Sequence, residues 1–202
     1  NVEHINEDIL EIELSPTGKP ITFDPGQFVF VRTRVKGISA EEHPFSITSA
    51  HGTNGLSFAA KSLGDYTKTL KLLKPDAEIY VEGPYGRFLF KRIGNVKQIW
   101  IAGGIGITPF LSMARSLSPN NSYTIVFFYT VSTMREAVFR EEMATLTRQV
   151  PSFKFVIHLS QEKGRLTAET VTREVPEVKS YDIFLCGPPP MMYALKKQFK
   201  KI

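Results

Sequence analysis

The first half of the chain alternates short apolar stretches with clusters of turn residues, a pattern typical of β-strands. Candidate strands cover residues 5–13, 28–35, 45–50, 56–61 and 79–82. Turn-forming residues separate several of them, at 15–18, 24–26 and 51–55. One helix is predicted over residues 66–73, and Pro75 just beyond it marks its end. Short strands at this spacing predict a closed antiparallel β-barrel or a sandwich.

The second half alternates strands with helices. Apolar runs rich in Ile, Val and Phe predict buried strands at residues 98–102, 124–129, 153–158 and 183–186. Helices are predicted at residues 109–116, 135–148, 168–172 and 190–199. This alternation indicates a parallel sheet with crossover helices. We therefore expect an antiparallel β-barrel over residues 1–93, followed over residues 94–202 by an α/β domain whose parallel sheet is of the five-stranded type.

Composition narrows the class of protein. The chain has 202 residues, of which 42% are hydrophobic and 22% charged, as in ordinary globular domains. It contains no apolar run long enough to cross a bilayer and no signal peptide. The single cysteine excludes an internal disulfide, and the histidines and cysteine lack the spacing of metal ligands, so no metal site is expected.

The net charge of +5 is modest, and lysines cluster at residues 68–74 and 196–201. A solvated polar face explains these clusters most simply. Attraction to an anionic membrane surface is the alternative, since each basic residue near such a surface contributes roughly 1 kcal/mol. Nucleic acid is not expected as a partner, because basic and aromatic residues are not interleaved as they are in nucleic-acid-binding proteins.

The stretch His43-Pro44-Phe45-Ser46 has the composition of a flavin seat on a barrel strand. Pro44 suits the start or edge of a strand, and Phe45 could present its ring to a flat ligand. The alternative is a core phenylalanine beside a turn, and these residues alone favour it. Downstream, Gly64 and the start of a helix could bind an anion, although Asp65 or Thr67 could equally be a plain helix cap. The residues predicted here to contact the cofactor are His43, Pro44, Phe45, Ser46, Thr48, Lys61, Gly64, Asp65, Tyr66 and Thr67.

A second phosphate-binding signal runs from Gly103 to Pro109, where a predicted strand enters glycines and then a helix. Glycines let the backbone approach a pyrophosphate, although Pro109 replaces the third glycine of the usual dinucleotide motif. Hydroxyl groups near Ser132, together with Arg135 and Arg165, favour a 2′-phosphate and hence NADPH over NADH. Arg135 could instead pair with a glutamate on its own helix. The residues of this loop predicted to bind the nucleotide are Gly103, Gly104, Gly106, Ile107, Thr108 and Pro109.

The last predicted strand ends in Cys186-Gly187-Pro188, at the edge of the sheet where such folds bind their ligands. Glycine and proline there would let a cofactor pass over the strand end, so Gly187 and Pro188 are added to the nucleotide-binding set. Cys186 would then lie near the nicotinamide and is predicted to be catalytic, together with Ser46. A buried structural cysteine is the alternative.

In the order of these motifs the chain resembles the ferredoxin–NADP⁺ reductase superfamily over essentially its whole length. Pro25-Gly26-Gln27-Phe28, the loop from Gly103 to Pro109 and Cys186-Gly187-Pro188 carry the resemblance. Within that superfamily, His43-Pro44-Phe45-Ser46 and Gly64-Asp65-Tyr66-Thr67 resemble the dehydrogenase domain of NADPH oxidases and membrane ferric reductases, in particular bacterial NADPH oxidases.

The resemblance implies roles for the predicted residues. Phe45 would stack on the flavin of FAD, and Ser46 would lie near its N5. His43, Lys61 and Thr67 would contact the phosphates or ribityl chain. Hydride would pass from NADPH, with NADH as a possible substitute, to FAD. Single electrons would then pass to two haems in a membrane domain absent from this chain, ending in superoxide formation or ferric iron reduction.

The resemblance also implies a location and a longer protein. We expect a soluble fragment that works at the cytoplasmic face of the membrane. The chain stops at Lys201-Ile202 without the extra strand and terminal aromatic residue that the family places against the flavin, so FAD would be held more weakly. The alternative function is a soluble reductase module serving an iron–sulfur partner or free flavin. A third hypothesis is a regulatory nucleotide-binding domain without catalysis.

Overall fold

The computed structural model of the chain describes residues 1–92 and 94–202. The chain divides into two compact units, Asn1–Phe90 with Thr108–Ser116, and Lys91–Ile107 with Leu117–Ile202, the second taken without residue 93. The predicted boundary between residues 93 and 94 adjoins Ile93, which lies outside the described residues. No helix in the described part of the chain combines the length and apolarity that crossing a membrane would need.

The first unit contains two three-stranded antiparallel sheets. Their orders are β1-β2-β5 and β4-β3-β6, and a bridge between Ile47 and Phe58 joins β4's continuation to β5. This confirms the antiparallel sheet fold expected for the first half. The strands are β1 (Val2–His4), β2 (Ile9–Leu14), β3 (Phe28–Thr33), β4 (His43–Ser46), β5 (Leu56–Lys61) and β6 (Ile79–Tyr85).

Alternating side chains of these strands form one apolar core. In β3, Val29 and Val31 are buried, while the residues that alternate with them, Phe28, Phe30 and Arg32, are partly exposed. Ile12, Ile47 and Phe58 are also completely or almost completely buried. A period of two is what a strand with one buried face requires, so the sequence pattern and the core agree.

One strand prediction was wrong. Residues 9–13 lie in β2, but residues 5–8 form the turn that joins β1 to β2 in a hairpin, and Asn6 closes this turn. The side-chain oxygen of Asn6 accepts hydrogen bonds from the backbone N–H groups of Asp8 at 2.9 Å and Ile9 at 2.8 Å. Asn readily makes such local turns, and this replaces the extended backbone that the apolar pattern suggested.

Two helices belong to the first unit. Helix α1 (Asp65–Thr69) continues into a 3₁₀ turn at Leu70–Leu72, so the predicted helix over residues 66–73 exists but tightens halfway. Helix α2 (Thr108–Arg115) packs with the sheets although it follows the first strand of the second unit in sequence.

The second unit has a four-stranded parallel sheet in the order β10-β7-β8-β9. This confirms the parallel α/β fold. The expected sheet was of the five-stranded type, but within the described residues it has four strands, because only four segments of the second unit have the apolar pattern of a buried strand. The strands are β7 (Lys97–Gly103), β8 (Thr124–Val131), β9 (Phe153–Leu159) and β10 (Asp182–Cys186). The helices are α3 (Arg140–Gln149), α4 (Ser160–Lys163), α5 (Ala168–Glu174) and α6 (Pro189–Phe199).

Helix α3 begins later than predicted. Residues 134–136 form a separate 3₁₀ turn, and Phe139 before the helix has φ of 61°. A left-handed residue cannot continue an α-helix, so the predicted helix over residues 135–148 is divided at this point. Arg135 therefore lies on a turn at the end of β8 rather than on the helix.

Arg115, the last residue of α2, forms the principal polar link between this helix and the β-sheets of the first unit. Its guanidinium donates to both carboxylate oxygens of Glu11, at 2.6 and 3.2 Å, and to the carbonyl of Thr48 at 2.9 Å. The side chains of Glu11 and Arg115 are only 13% and 21% exposed. Paired, bidentate geometry of this kind is required when charges are taken out of water.

Smaller contacts complete the seat of α2. Ser112 donates to the carbonyl of Ser49 at 2.7 Å, and the Ser116 hydroxyl just after the helix accepts from His51 N–H at 2.9 Å. Gly26, with φ of +101°, leaves room for the helix, since a Cβ there would lie 2.5 Å from Cε of Met113. The first unit is thus stabilised by strand pairing and by one helix, α2, whose polar side chains form hydrogen bonds to the strands and to the loops beside them.

We predict that Arg115→Gln lowers the free energy of unfolding by about 1–3 kcal/mol, because Glu11 then keeps a largely buried charge without its partner. Urea unfolding followed by far-ultraviolet circular dichroism measures this change. Arg87→Gln is the matched control, since Arg87 is exposed in the same unit. An equal loss in both variants would contradict a specific role of the pair.

The pH dependence of stability should follow Glu11. Burial by itself would raise the pKa of its carboxyl group, but the hydrogen bond and charge of Arg115, with the hydroxyl of Thr48, hold that pKa below the ordinary value of 4.5. The stability from this group is therefore complete above about pH 4.5 and is lost as the pH falls through the lower folded-state pKa. Glu11→Gln should unfold less steeply with acid than the wild type below that pH, although it is less stable at pH 7.

Candidate functional site

The predicted flavin strand β4 divides its side chains between two faces. Phe45 was predicted to present its ring to a flat ligand, but the structure places it in the core at 9% exposure, 4.7 Å from the ring of Phe58. Ser46 lies on the opposite face and is partly exposed, as the pleat requires. Pro44 is exposed on the face of Ser46. Stacking of Phe45 on a flavin stays a prediction, and in this structure its ring is packed inside the sheets.

His43 and Tyr66 form the most informative polar pair of the first unit. Their rings stack at a centroid distance of 3.6 Å, which brings β4 and α1 together. Nε2 of His43 and the hydroxyl of Tyr66 are both buried, and neither has a hydrogen-bond partner among the described residues. The Glu41 carboxylate is 3.7 Å from Nε2, too far for a hydrogen bond. Buried polar atoms without partners are rare in native proteins, so this pair marks a place where a polar ligand fits.

The loop between β5 and α1 brings the other predicted flavin residues beside this pair. Gly64 caps the helix, and the Thr67 hydroxyl accepts hydrogen bonds from the N–H groups of Leu63 and Gly64, each at 3.0 Å. Asp65 is fully exposed, and Lys61 at the end of β5 is partly buried. A Cβ on Gly64 would meet nothing within 4 Å, so the loop faces open space.

The side chain of Thr48 is buried within the first unit, and a contact of Thr48 with a cofactor stays a prediction. It was predicted to contact the cofactor, but it is completely buried, and its hydroxyl donates to Oε1 of Glu11 at 2.7 Å. The hydroxyl of Ser57 lies 2.8 Å from it. Thr48 therefore satisfies the buried carboxylate, a role that only the pairing of β2 with β5 and the seat of α2 could reveal.

Sequence reasoning missed an aromatic cluster on the Ser46 face. Phe28 lies directly opposite Ser46 in the β3–β4 pair and opposite Tyr85 in the β3–β6 pair. The rings of Phe28, Phe30 and Tyr85 have mutual centroid distances of 5.7–5.9 Å. The signal in the sequence was the even spacing of Phe28 and Phe30, which places both on one face of a strand.

In the second unit, the glycines of the nucleotide loop divide into two kinds. Gly104, with φ of +53°, would place a Cβ in open space. A Cβ on Gly103 would lie 2.7 Å from Sδ of Met191, and one on Gly106 would lie 2.5 Å from the carbonyl oxygen of Cys186. Gly103 and Gly106 are thus required by packing between the ends of β7 and β10, while Gly104 leaves a cradle that a ligand can approach.

The residues after these glycines are mostly buried. Helical backbone begins with a 3₁₀ turn at Gly104–Ile107 and continues directly into α2, so the helical segment starts earlier than the predicted first helical residue, Pro109. Ile107 is completely buried, and Thr108 is 7% exposed. Pro109 is buried as well. Any contact of Ile107 or Pro109 with a nucleotide would have to come from the backbone.

The end of β10 packs tightly on the glycine loop. Gly187 has φ of +158°, and a Cβ there would lie 2.9 Å from the backbone N of Gly103. Pro188 is exposed and caps α6. Cys186 is partly buried, and burial raises the pKa of its thiol, so the thiol is protonated near neutral pH. The structure therefore disfavours a thiolate role for Cys186, and its proximity to a nicotinamide stays a prediction.

The predicted 2′-phosphate residues lie at the carboxyl ends of β8 and β9. Ser132 follows β8, Arg135 is exposed on the turn after it, and Arg165 is exposed after β9. A hydrogen bond of 3.2 Å from the Gln161 N–H to the Ser132 carbonyl joins the two segments. Gln161 was missed from the sequence, because this link depends on the parallel pairing of β8 with β9.

The arrangement fits the two cofactors that the sequence suggests. The orphaned polar atoms of His43 and Tyr66 suit a polar ligand such as FAD, and the open cradle at Gly104 suits a dinucleotide phosphate. Among the described residues, no group of three or more His, Cys, Asp or Glu side chains is arranged to hold a metal ion.

Comparison with known proteins agrees with this division. A family model described as "FAD-binding domain" matches residues 1–88, and one described as "Oxidoreductase NAD-binding domain" matches residues 100–197. The reductase component of propane 2-monooxygenase from Rhodococcus jostii is 30% identical over 212 residues, covering 96% of this chain and 56% of that protein. The glycine betaine monooxygenase reductase subunit of Chromohalobacter salexigens is 28% identical over 195 residues, covering 88% of this chain and 52% of that protein.

The chain therefore spans little more than half the length of these two curated relatives. A solved ferredoxin–NADP⁺ reductase from Neisseria gonorrhoeae, with bound FAD and NADP, superimposes with a TM-score of 0.81 at 20% identity, covering 99% of this chain and 87% of that one. At that identity the likeness shows the fold alone. The chain thus consists of a FAD-binding domain followed by an oxidoreductase NAD-binding domain, with a ferredoxin–NADP⁺ reductase-like fold.

Proposed function

We propose that the chain is the NAD(P)H-dependent flavin reductase module of an electron-transfer system, and that its electrons go to an iron–sulfur partner or to free flavin. The observation that carries the proposal is the presence, in one chain, of an FAD-type seat with orphaned polar atoms and a glycine cradle of dinucleotide type. The names of the two curated relatives, both reductases of monooxygenases, support the choice of acceptor.

The chain's own residues would hold and orient the cofactors. His43 and Tyr66 would donate to or accept from polar groups of FAD, and Ser46 would lie beside the flavin ring. Gly104 would admit the nucleotide phosphates, and Arg165 would bind a 2′-phosphate. FAD, when bound, supplies an acceptor for hydride from the nicotinamide and a donor of single electrons to the next carrier.

The NADPH oxidase or ferric reductase interpretation is the second candidate. It rests on the stretches His43-Pro44-Phe45-Ser46 and Gly64-Asp65-Tyr66-Thr67, and it requires a membrane domain carrying haems. The two curated relatives favour the monooxygenase-reductase type instead. Sequence flanking this chain discriminates between them: apolar helices with haem-ligating histidines support the oxidase, and a cysteine cluster supports the iron–sulfur partner.

The test of the proposed function is anaerobic stopped-flow mixing of FAD-loaded protein with NADPH or NADH, following flavin absorbance. Rapid bleaching by either nucleotide is the expected result. If FAD binds and neither nucleotide bleaches it, the catalytic interpretation of this chain is wrong and the regulatory hypothesis gains support. Reduction of an added iron–sulfur protein, compared with reduction of free flavin, then identifies the class of acceptor.

We predict that Tyr66→Phe separates the stability of the apoprotein from its affinity for FAD. Removing a buried hydroxyl without a partner should leave the melting temperature of the apoprotein unchanged or raised. Losing one hydrogen bond should weaken FAD binding by roughly threefold to tenfold, measured by flavin fluorescence quenching. Tyr80→Phe is the control, because the Tyr80 hydroxyl donates to Glu78 at 2.9 Å on an exposed face. Equal effects of both variants on FAD affinity would contradict the assignment.

We predict that Gly106→Ala impairs the nucleotide loop and spares the flavin seat. The new methyl group would lie 2.5 Å from the Cys186 carbonyl oxygen and 2.7 Å from Cα of Gly187, so the loop must shift. Such overpacking typically lowers the free energy of unfolding by about 1–3 kcal/mol. Because the shifted backbone would no longer fit the phosphate, we also expect the KM for the nucleotide to rise roughly tenfold, which is about 1.4 kcal/mol of binding free energy. Gly18→Ala is the matched control, since a methyl group on Gly18 would meet nothing within 4 Å. Unchanged nucleotide kinetics in Gly106→Ala would show that the loop does not bind the nucleotide.

A further inference from the structure

A short turn after β9 is held at two points by hydrogen bonds from outside it. The turn comprises α4 and Gly164, which has φ of 71° and ψ of −172°, a conformation that favours glycine. His158, the penultimate residue of β9, is 5% exposed, and its Nε2 donates to the Gly164 carbonyl at 2.9 Å. The Gln161 N–H donates to the Ser132 carbonyl at 3.2 Å.

Arg165 directly follows this turn and lies between two residues whose positions are fixed. Before it, the carbonyl of Gly164 is held by the buried His158. After it, Leu166 is 6% exposed and packs in the core formed with Val126, Phe128 and Val171 of α5. The Arg165 side chain itself is exposed, and no ion pair is found for it among the described residues. Its backbone is therefore fixed while its guanidinium is available for an anionic ligand.

We propose that His158 is a positioning residue for nucleotide selection: by holding the Gly164 carbonyl it fixes the backbone that presents Arg165 to the 2′-phosphate of NADPH. The inference rests on the proposed function and deepens it. The sequence suggested Arg165 as a candidate and treated His158 only as a histidine without metal-ligand spacing. The buried imidazole of His158 closes the turn of α4 and Gly164 through its hydrogen bond to the Gly164 carbonyl, and this fixed backbone is what would let an exposed arginine on a short connection bind selectively.

The ligand chemistry follows from the groups at this edge. A phosphate monoester carries nearly two negative charges and accepts bidentate hydrogen bonds from a guanidinium. The Ser132 segment, tied to the turn through Gln161, brings hydroxyl groups to the same edge. Lys163 adds a second exposed cation, and Glu162 beside it is the opposing charge on the same turn. Arg165 is the cation whose backbone is held on both sides.

The test compares NADPH and NADH reduction of the FAD-loaded protein in four variants. Arg165→Gln should raise the KM for NADPH roughly tenfold to a hundredfold, the value of a charged hydrogen bond, with far less effect on NADH. His158→Phe should raise the KM for NADPH by a smaller factor at an unchanged kcat, while His158→Gln, whose amide can still donate, should resemble the wild type. Arg148→Gln, at the end of α3, is the control for loss of an exposed arginine.

A double mutant isolates the path of the effect. If His158 acts through Arg165, adding His158→Phe to Arg165→Gln should change the KM for NADPH no further. Calorimetric titration of each variant with 2′-phospho-AMP and with AMP gives a binding readout that does not depend on turnover. Only 2′-phospho-AMP should bind more weakly when either residue is changed.

Three results would overturn the inference. Equal losses for NADPH and NADH in His158→Phe would indicate a general structural role. Additive losses in the double mutant would show that His158 does not act through Arg165. Equal binding of 2′-phospho-AMP and AMP by the wild type would show that the protein has no site for the 2′-phosphate. If neither nucleotide bleaches the flavin but 2′-phospho-AMP binds selectively through both residues, the proposed function fails while the inference stands.

Discussion

The ion pair between Glu11 and Arg115 determines how the first unit is completed. Helix α2 follows a strand of the second unit in the chain, but this ion pair attaches it to the sheets of residues 1–90, with which it forms one compact unit. Two largely buried charges are tolerated because each carboxylate oxygen is bonded to the guanidinium and the remaining acceptor sites take hydroxyl donors such as Thr48. The strand that carries the predicted flavin residues, β4, ends at Ser46, two positions before Thr48, so the network holds the chain directly after that strand.

Close backbone packing has a comparable role in the second unit. The ends of β7 and β10 approach so nearly that Gly103, Gly106 and Gly187 have no room for a Cβ. The sequence suggested these three glycines as ligand contacts, but close packing of the fold already requires glycine at each of them. Among the glycines of the loop, Gly104 is the one whose Cβ position lies in open space. A glycine-rich loop therefore combines two physical requirements, close packing of strand ends and access of a phosphate to the backbone, and only the positions of neighbouring atoms separate them.

The two candidate sites share one principle, which is that groups fixed by burial support groups left available to a ligand. In the first unit, the stacked rings of His43 and Tyr66 hold two polar atoms in place without satisfying them. In the second unit, the buried His158 holds the carbonyl of Gly164 through Nε2, while the next residue, Arg165, is exposed. Such supporting residues are hard to recognise in a sequence, since a buried histidine in an apolar strand gives no sign of the carbonyl that it will meet.

The amino-acid sequence by itself determined the fold class, the order of the two domains and the positions of most of the strands and helices that carry them, because strand and helix periodicities and glycine–proline punctuation are local properties. It also pointed to His43, Tyr66, Gly104 and Arg165 as residues of the sites. Only the tertiary structure decided that Phe45 and Thr48 face the core, that Arg115 pairs with Glu11 and that His158 holds Gly164. Each of these depends on which face of a strand is covered or on a partner distant in the chain, and the packing of the folded protein settles both.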